Sequence, residues 1–130
     1  MSSAFFGIGT DLVEVERIAR SVMRDRFVSE VFGPLERAYC ESKSRPAEHF
    51  AARFAAKEAF LKSLGRGIFS GVALSDVQVV NDENGRPSLL LGPTAERALR
   101  ETAGASAPQT FVTLSHVKSM AAATVVVRAP

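Results

Sequence analysis

A chain of 130 residues with 46% hydrophobic and 23% charged residues suits one soluble globular domain, spanning 1–130, large enough to bury a core. A net charge of +2 and a pI near 9.0 are too mild to argue for a nucleic-acid partner, and none is expected. The lone Cys40 rules out an intrachain disulfide or a thiolate zinc cluster. No apolar run approaches bilayer length, and the N-terminus lacks the marks of a signal peptide. The cytoplasm is the expected setting, with no membrane partner.

In chain order, Ala4–Thr10 reads as a short strand with Gly7 and Gly9. An amphipathic helix is predicted from about Leu12 to Arg24. Val15, Ile18, Ala19 and Val22 form its apolar face, and Arg17, Arg20 and Arg24 form a basic stripe opposite. Asp11 and Glu14 together resemble a capping box for it. A second helix is expected from Pro34 to about Ser42. Ser42–Ala47 is polar and reads as a loop, and a long helix follows from about His49 to Leu64, closed by Gly65. The pattern then changes to strands: Val72–Val80, the turn Asn81–Gly85, and Pro87–Leu91. Pro93–Ala103 reads as a short helix. Thr110–Ser115 and Ala121–Arg128 are β-branched runs that pair most simply as a hairpin. Helices and largely antiparallel strands in this order predict an α+β fold, its sheet packed on the long helix.

That long helix is unusual in lacking a continuous polar face. Phe50, Phe54, Phe60, Leu61 and Leu64 share one side, and Ala51, Ala52, Ala55, Ala56 and Ala59 cover most of the other. A helix apolar nearly all round is normally buried, and buried charges are costly unless paired or metal-bound. Arg53 and Lys57 fall among the large apolar residues, while Glu58 and Lys62 sit on the seam. The helix therefore reads as the wall of a charged site.

Asp11 and Glu58 are acids in otherwise apolar surroundings. Brought together they would repel unless protonated or bridged by a hard cation, and magnesium suits two carboxylates, waters and phosphates. The plainer alternative is that Asp11 caps its helix and Glu58 pairs with Lys62 one turn on; on spacing alone that alternative leads. Lys62 with Gly65-Arg66-Gly67 makes a cationic helix end before a flexible backbone, which ordinary helix termination also explains. The arginine stripe suits an acidic partner about as well as a solvated face. There is no phosphate-binding loop of the Walker type and no complete dinucleotide fingerprint. Ser115-His116 places a nucleophile beside a base in sequence only.

Four segments taken together change the balance. Gly7-Ile8-Gly9-Thr10-Asp11-Leu12-Val13-Glu14, Arg53-Phe54-Ala55-Ala56-Lys57-Glu58-Ala59, Leu64-Gly65-Arg66-Gly67-Ile68 and Thr113-Leu114-Ser115-His116 closely resemble the holo-[acyl-carrier-protein] synthase family. These are the short bacterial 4′-phosphopantetheinyl transferases, and the resemblance spans the chain. It implies transfer of the 4′-phosphopantetheine arm of coenzyme A to a serine of apo acyl carrier protein, with release of adenosine 3′,5′-bisphosphate, in fatty-acid biosynthesis. It also implies Mg2+ at Asp11 and Glu58, and Lys62 at the transferred phosphate. Gly65, Gly67, Ser115 and His116 would line the coenzyme, with Arg53 a further coenzyme contact. Arg17 and Arg24 would grip the carrier, with Arg20 and Arg45 assigned to the same partner. Longer relatives carry an Asp-x-Glu metal motif; Val13 stands at that position here, matching the short type, a homotrimer with active sites between subunits. A non-catalytic module using its basic helix, and a thioester hydrolase using Ser115-His116, are the rivals.

Overall fold

Strand β1 (Phe5–Glu14) lies antiparallel to β5 (Met120–Ala129), in register from Phe5 opposite Ala129 to Glu14 opposite Met120. Strand β4 (Gln109–His116) pairs with the other edge of β5, giving a three-stranded sheet of order β1-β5-β4. The long helix α4 (Pro46–Ser63) packs across its inner face. The computed structural model describes residues 4–67, 70–104 and 107–130; Ile68 of the glycine motif and residues 1–3 lie outside them.

Between β1 and α4 come three short helices: α1 (Val15–Ser21), α2 (Asp25–Val31) and α3 (Pro34–Glu41). After α4 a single 3-10 turn, Leu74–Asp76, leads into the hairpin β2 (Val77–Asn81) and β3 (Pro87–Leu91). Helix α5 (Pro93–Ala103) then returns the chain to β4. The architecture is α+β with antiparallel sheets, as the sequence predicts. Helix α4 is buried almost throughout, with Phe50, Phe54, Phe60, Leu61 and five alanines in the core.

The alanines decide how close the layers come. Ala121 and Ala123 of β5 face α4, followed by Val125 and Val127, and all four are buried. On β1 the inward positions are Gly7 and Gly9. A Cβ at Gly9 would lie 2.1 Å from the Ala59 carbonyl oxygen, and one at Gly7 would lie 2.0 Å from that of Ser63. Only a bare backbone permits that approach.

Several boundaries differ from the sequence expectation. The first strand continues through Asp11 to Glu14, so no helix begins at Leu12 and Asp11 caps none. The reason is pairing: β5 offers ten partners in register, and satisfying that ladder outweighs the local capping pattern. The basic stripe is also broken, because α1 ends at Ser21 and Arg24 is the residue before α2, a helix the pattern did not separate. Helix α4 starts at Pro46, inside the segment read as a loop. Most of the first half of Val72–Val80 is the 3-10 turn rather than strand.

Candidate active site

Asp11 projects from the inner face of β1, beside Gly9, and therefore lies against α4 where the two backbones nearly touch. Lys62, in the last turn of α4, reaches across to it. Its Nζ donates to Asp11 Oδ1 at 3.0 Å and to the Thr10 carbonyl at 3.1 Å. Lys62 thus turns to the neighbouring strand, not to Glu58 on its own helix. Its side chain remains 53% exposed, free enough to reach a ligand.

Glu58 stands next to this pair. Its pKa is raised, first by burial and then by the charge of Asp11; Arg17 and Lys62 pull the other way. The two carboxylates of the sequence argument therefore lie close enough for the charge of one to raise the pKa of the other. Arg17, read from sequence as part of a partner-binding stripe, is a neighbour of Glu58 and sits over the Phe54 ring at 5.8 Å. A hollow of about 70 Å3 beside them is lined by Glu58, Leu61, Lys62, Arg66 and Gly67.

The donor set fits a magnesium ion. Asp11 and Glu58 supply hard oxygens, and the ammonium of Lys62 already marks the spot as one where a cation is stabilised. Among the described residues no group of three or more His, Cys, Asp or Glu could hold a metal. An ion held by two carboxylates keeps positions for waters and phosphate oxygens, which is magnesium's habit.

Gly65 and Gly67 follow directly. Gly65 takes a left-handed conformation (φ +69°), and the N–H groups of Gly65 and Arg66 donate to the carbonyls of Lys62 and Leu61. That arrangement ends α4 and turns the chain beside Lys62. Arg66 pairs with Glu101 of α5 at 3.2 Å.

The remaining predicted residues form a second cluster at the other end of α4. His116, at the end of β4, has Nδ1 3.0 Å from Glu48 Oε1, and its ring lies 5.1 Å from that of His49. Arg45 reaches Glu48 at 3.5 Å. Arg53 is buried, donating to Asn81 Oδ1 at 2.7 Å and to the His49 carbonyl, with its guanidinium 4.2 Å from the Tyr39 ring. Burial, then Arg53, lowers the pKa of His49. Ser115 lies on the outer face of β4 and His116 on the inner, because neighbours along a strand point oppositely. They are no nucleophile–base couple. Ten residues of helix, about 15 Å, separate Glu48 from Glu58, so one chain does not bring the two clusters together.

Sequence reasoning missed Glu48, the partner of His116, and Asn81, the partner of Arg53. Both pairs join elements far apart in the chain, and no spacing announces them. Arg20 pairs with Glu16 in an exposed helical ion pair at 3.3 Å, and Arg24 lies 6.0 Å from the Phe27 ring. No helix among the described residues is long and apolar enough to cross a membrane.

Two acids from separate elements, a half-exposed lysine and a glycine turn make a site suited to a diphosphate. Comparison with known proteins gives the family. Residues 7–120 match the 4′-phosphopantetheinyl transferase superfamily, and the chain belongs to that family. It is 46% identical over 122 residues to a holo-[acyl-carrier-protein] synthase of Syntrophus aciditrophicus (strain SB), covering 92% of this chain and 93% of that one. It is 43% identical over 123 residues to a protein of the same description from Geobacter sp. (strain M21), covering 93% and 96%. Among solved structures it resembles the ACPS–CoA complex of Chronobacterium ammoniagenes, with a TM-score of 0.82, 30% identity and coverage of 97% and 98%. The holo-(acyl-carrier-protein) synthase of Bacillus anthracis in complex with CoA (3′,5′-ADP) superposes with a TM-score of 0.78 at 32% identity, covering 98% and 100%.

Proposed function

We propose that this chain is a holo-[acyl-carrier-protein] synthase serving fatty-acid biosynthesis in the cytoplasm. It moves the 4′-phosphopantetheine group of coenzyme A to a serine of apo acyl carrier protein. The observation that carries the reading is the meeting of Asp11 and Glu58, with Lys62 on Asp11.

The serine oxygen forms a bond to the phosphorus next to the pantetheine arm. The P–O bond to the second phosphate breaks, and adenosine 3′,5′-bisphosphate departs with the electron pair. Such a transfer asks for positioning and charge neutralisation more than covalent help. Asp11 and Glu58 would hold Mg2+, which when bound neutralises the diphosphate and polarises its phosphorus. Lys62 leaves Asp11 for the phosphoryl oxygens, where charge gathers. The serine proton passes to a water at the site, since a carboxylate committed to a cation is a weak base. Arg17 and Arg24, with Arg20 and Arg45, face the acidic carrier.

The working form is a homotrimer. Phe6, Ile8 and Leu12 line the outer face of β1 at 68%, 62% and 65% exposure, and Phe111 of β4 extends the same face. An apolar sheet face of this kind calls for cover. A neighbouring subunit would supply it and would bring its His116 and Ser115 to the Asp11 site, whereas Arg53, buried against Asn81 and Tyr39, supports that wall from within and does not touch the coenzyme.

The experiment is incubation with coenzyme A, magnesium and apo carrier, read as mass gain on the carrier. Glu58→Ala should remove the gain while the protein stays folded. No gain with the native chain sinks the assignment; undiminished turnover in the variant sinks the metal role.

A further inference from the structure

Glu48 has no role in the reading so far. It lies in the first turn of α4, its side chain is only 12% exposed, and both its oxygens are engaged: Oε1 with His116 Nδ1 at 3.0 Å, Oε2 with Arg45 at 3.5 Å. The backbone of His116 is already fixed, paired opposite Ala121 just before the turn closed by Val117 N–H to Met120 O. What remains open is the direction of the ring and which nitrogen carries hydrogen. A carboxylate only accepts, so its contact requires hydrogen on Nδ1 and leaves Nε2 on the far side of the ring, away from α4. The edge-on ring of His49 limits other rotations.

We infer that Glu48 is a positioning residue, holding His116 in the Nδ1–H form with Nε2 turned outward toward the anionic end of the coenzyme. The inference rests on the proposed role of His116 as a coenzyme contact. Outer carboxylates that orient functional histidines in this way are worth 10- to 100-fold at metal centres.

The chain has two histidines, so its histidine-labelled spectrum is simple to assign. Two-bond 15N–1H correlations on the native chain should show His116 as Nδ1–H. Glu48→Ala should shift it to the Nε2–H form and raise KM for coenzyme A about tenfold, leaving KM for the carrier unchanged. Glu48→Gln keeps the side-chain shape and covers the case in which the alanine variant does not fold. Its amide offers the ring either an oxygen or an NH2, so mixed forms and an intermediate KM are expected. An unchanged His116 form in these variants overturns the inference. Should His116→Ala leave KM for coenzyme A untouched, the coenzyme contact itself is wrong, whatever the spectra of the Glu48 variants show.

Discussion

Lys57 Nζ lies 2.5 Å from Glu36 Oε1, and neither residue has any exposed surface. The pair is fully bonded. Lys57 also donates to the Leu74 and Val77 carbonyls, and Glu36 accepts from the N–H groups of Gly33 and Val79. Burial pulls the Lys57 pKa down while Glu36 pushes back. The network ties α3, α4 and the start of β2 together, and it anchors the far end of the segment that leaves α4 at Gly65.

Removing one partner strands the other as an unpaired buried charge, which costs about 3–5 kcal/mol. Lys57→Met should therefore shift the urea midpoint strongly. The double variant Glu36→Leu/Lys57→Met should cost less than the sum of its parts, although four backbone groups lose their partners. Additive effects in the denaturation series would mean that the two residues do not act as a unit.

Glu58 gives a pH prediction. Its folded pKa is raised, by burial first and Asp11 second. The folded chain then holds the proton more tightly than the unfolded one. That contribution is fully present below the ordinary glutamate range and is lost as pH rises through the raised value. In chelator, Glu58→Gln should melt above the native chain at neutral pH, with the gap closing toward acid. Excess Mg2+ should raise the native Tm more than the variant's. A variant no more stable at neutral pH would argue against like-charge repulsion in the free site.

The arginines should separate by position. Arg17 neighbours Glu58 as well as facing outward, whereas Arg20 is committed to an exposed pair with Glu16. Arg17→Glu should lower kcat and raise KM for the carrier more than for coenzyme A. Arg20→Glu should raise only the carrier's KM, by a few-fold and salt-dependently, as rim charges do. Equal kinetic profiles for the two variants would remove the distinction.

The apolar outer sheet face predicts assembly. Ile8→Asp, at an exposed position in β1, should leave a folded protein whose light-scattering mass is that of one chain and whose transferase activity is lost. A native chain that is already monomeric at assay concentration would overturn the shared-site reading.

How much of this was legible depended on whether the signal was local. Pro87–Leu91 and Pro93–Ala103 were readable to the residue because turn and helix-start residues frame them. The burial of α4 followed from its missing polar face. The extension of β1 to Glu14 was hidden because its outer face, Ile8 and Leu12, is also apolar, which erased the alternation that marks a strand. Helix α2 does leave a trace in Phe27, Val28, Val31 and Phe32, one turn apart, but the apolar pattern of the preceding segment runs on to Arg24 as one longer helix. At the site, Asp11, Glu58 and Lys62 stand out on residue type and family resemblance. That Lys62 bonds Asp11 and not Glu58 required the crossing of β1 over α4. Lys57–Glu36 and Glu48–His116 join residues with nothing in sequence to connect them.

The near-contact of β1 with α4 at Gly7 and Gly9 has a consequence for precision. Because main chain rests on main chain there, the spacing of the two backbones that carry the acids is set by atoms that have no rotamers to choose from. Even a methyl group at either position would wedge the strand off the helix and pull the two acids apart. The width of the proposed cation berth is thus gauged by what those two positions leave out.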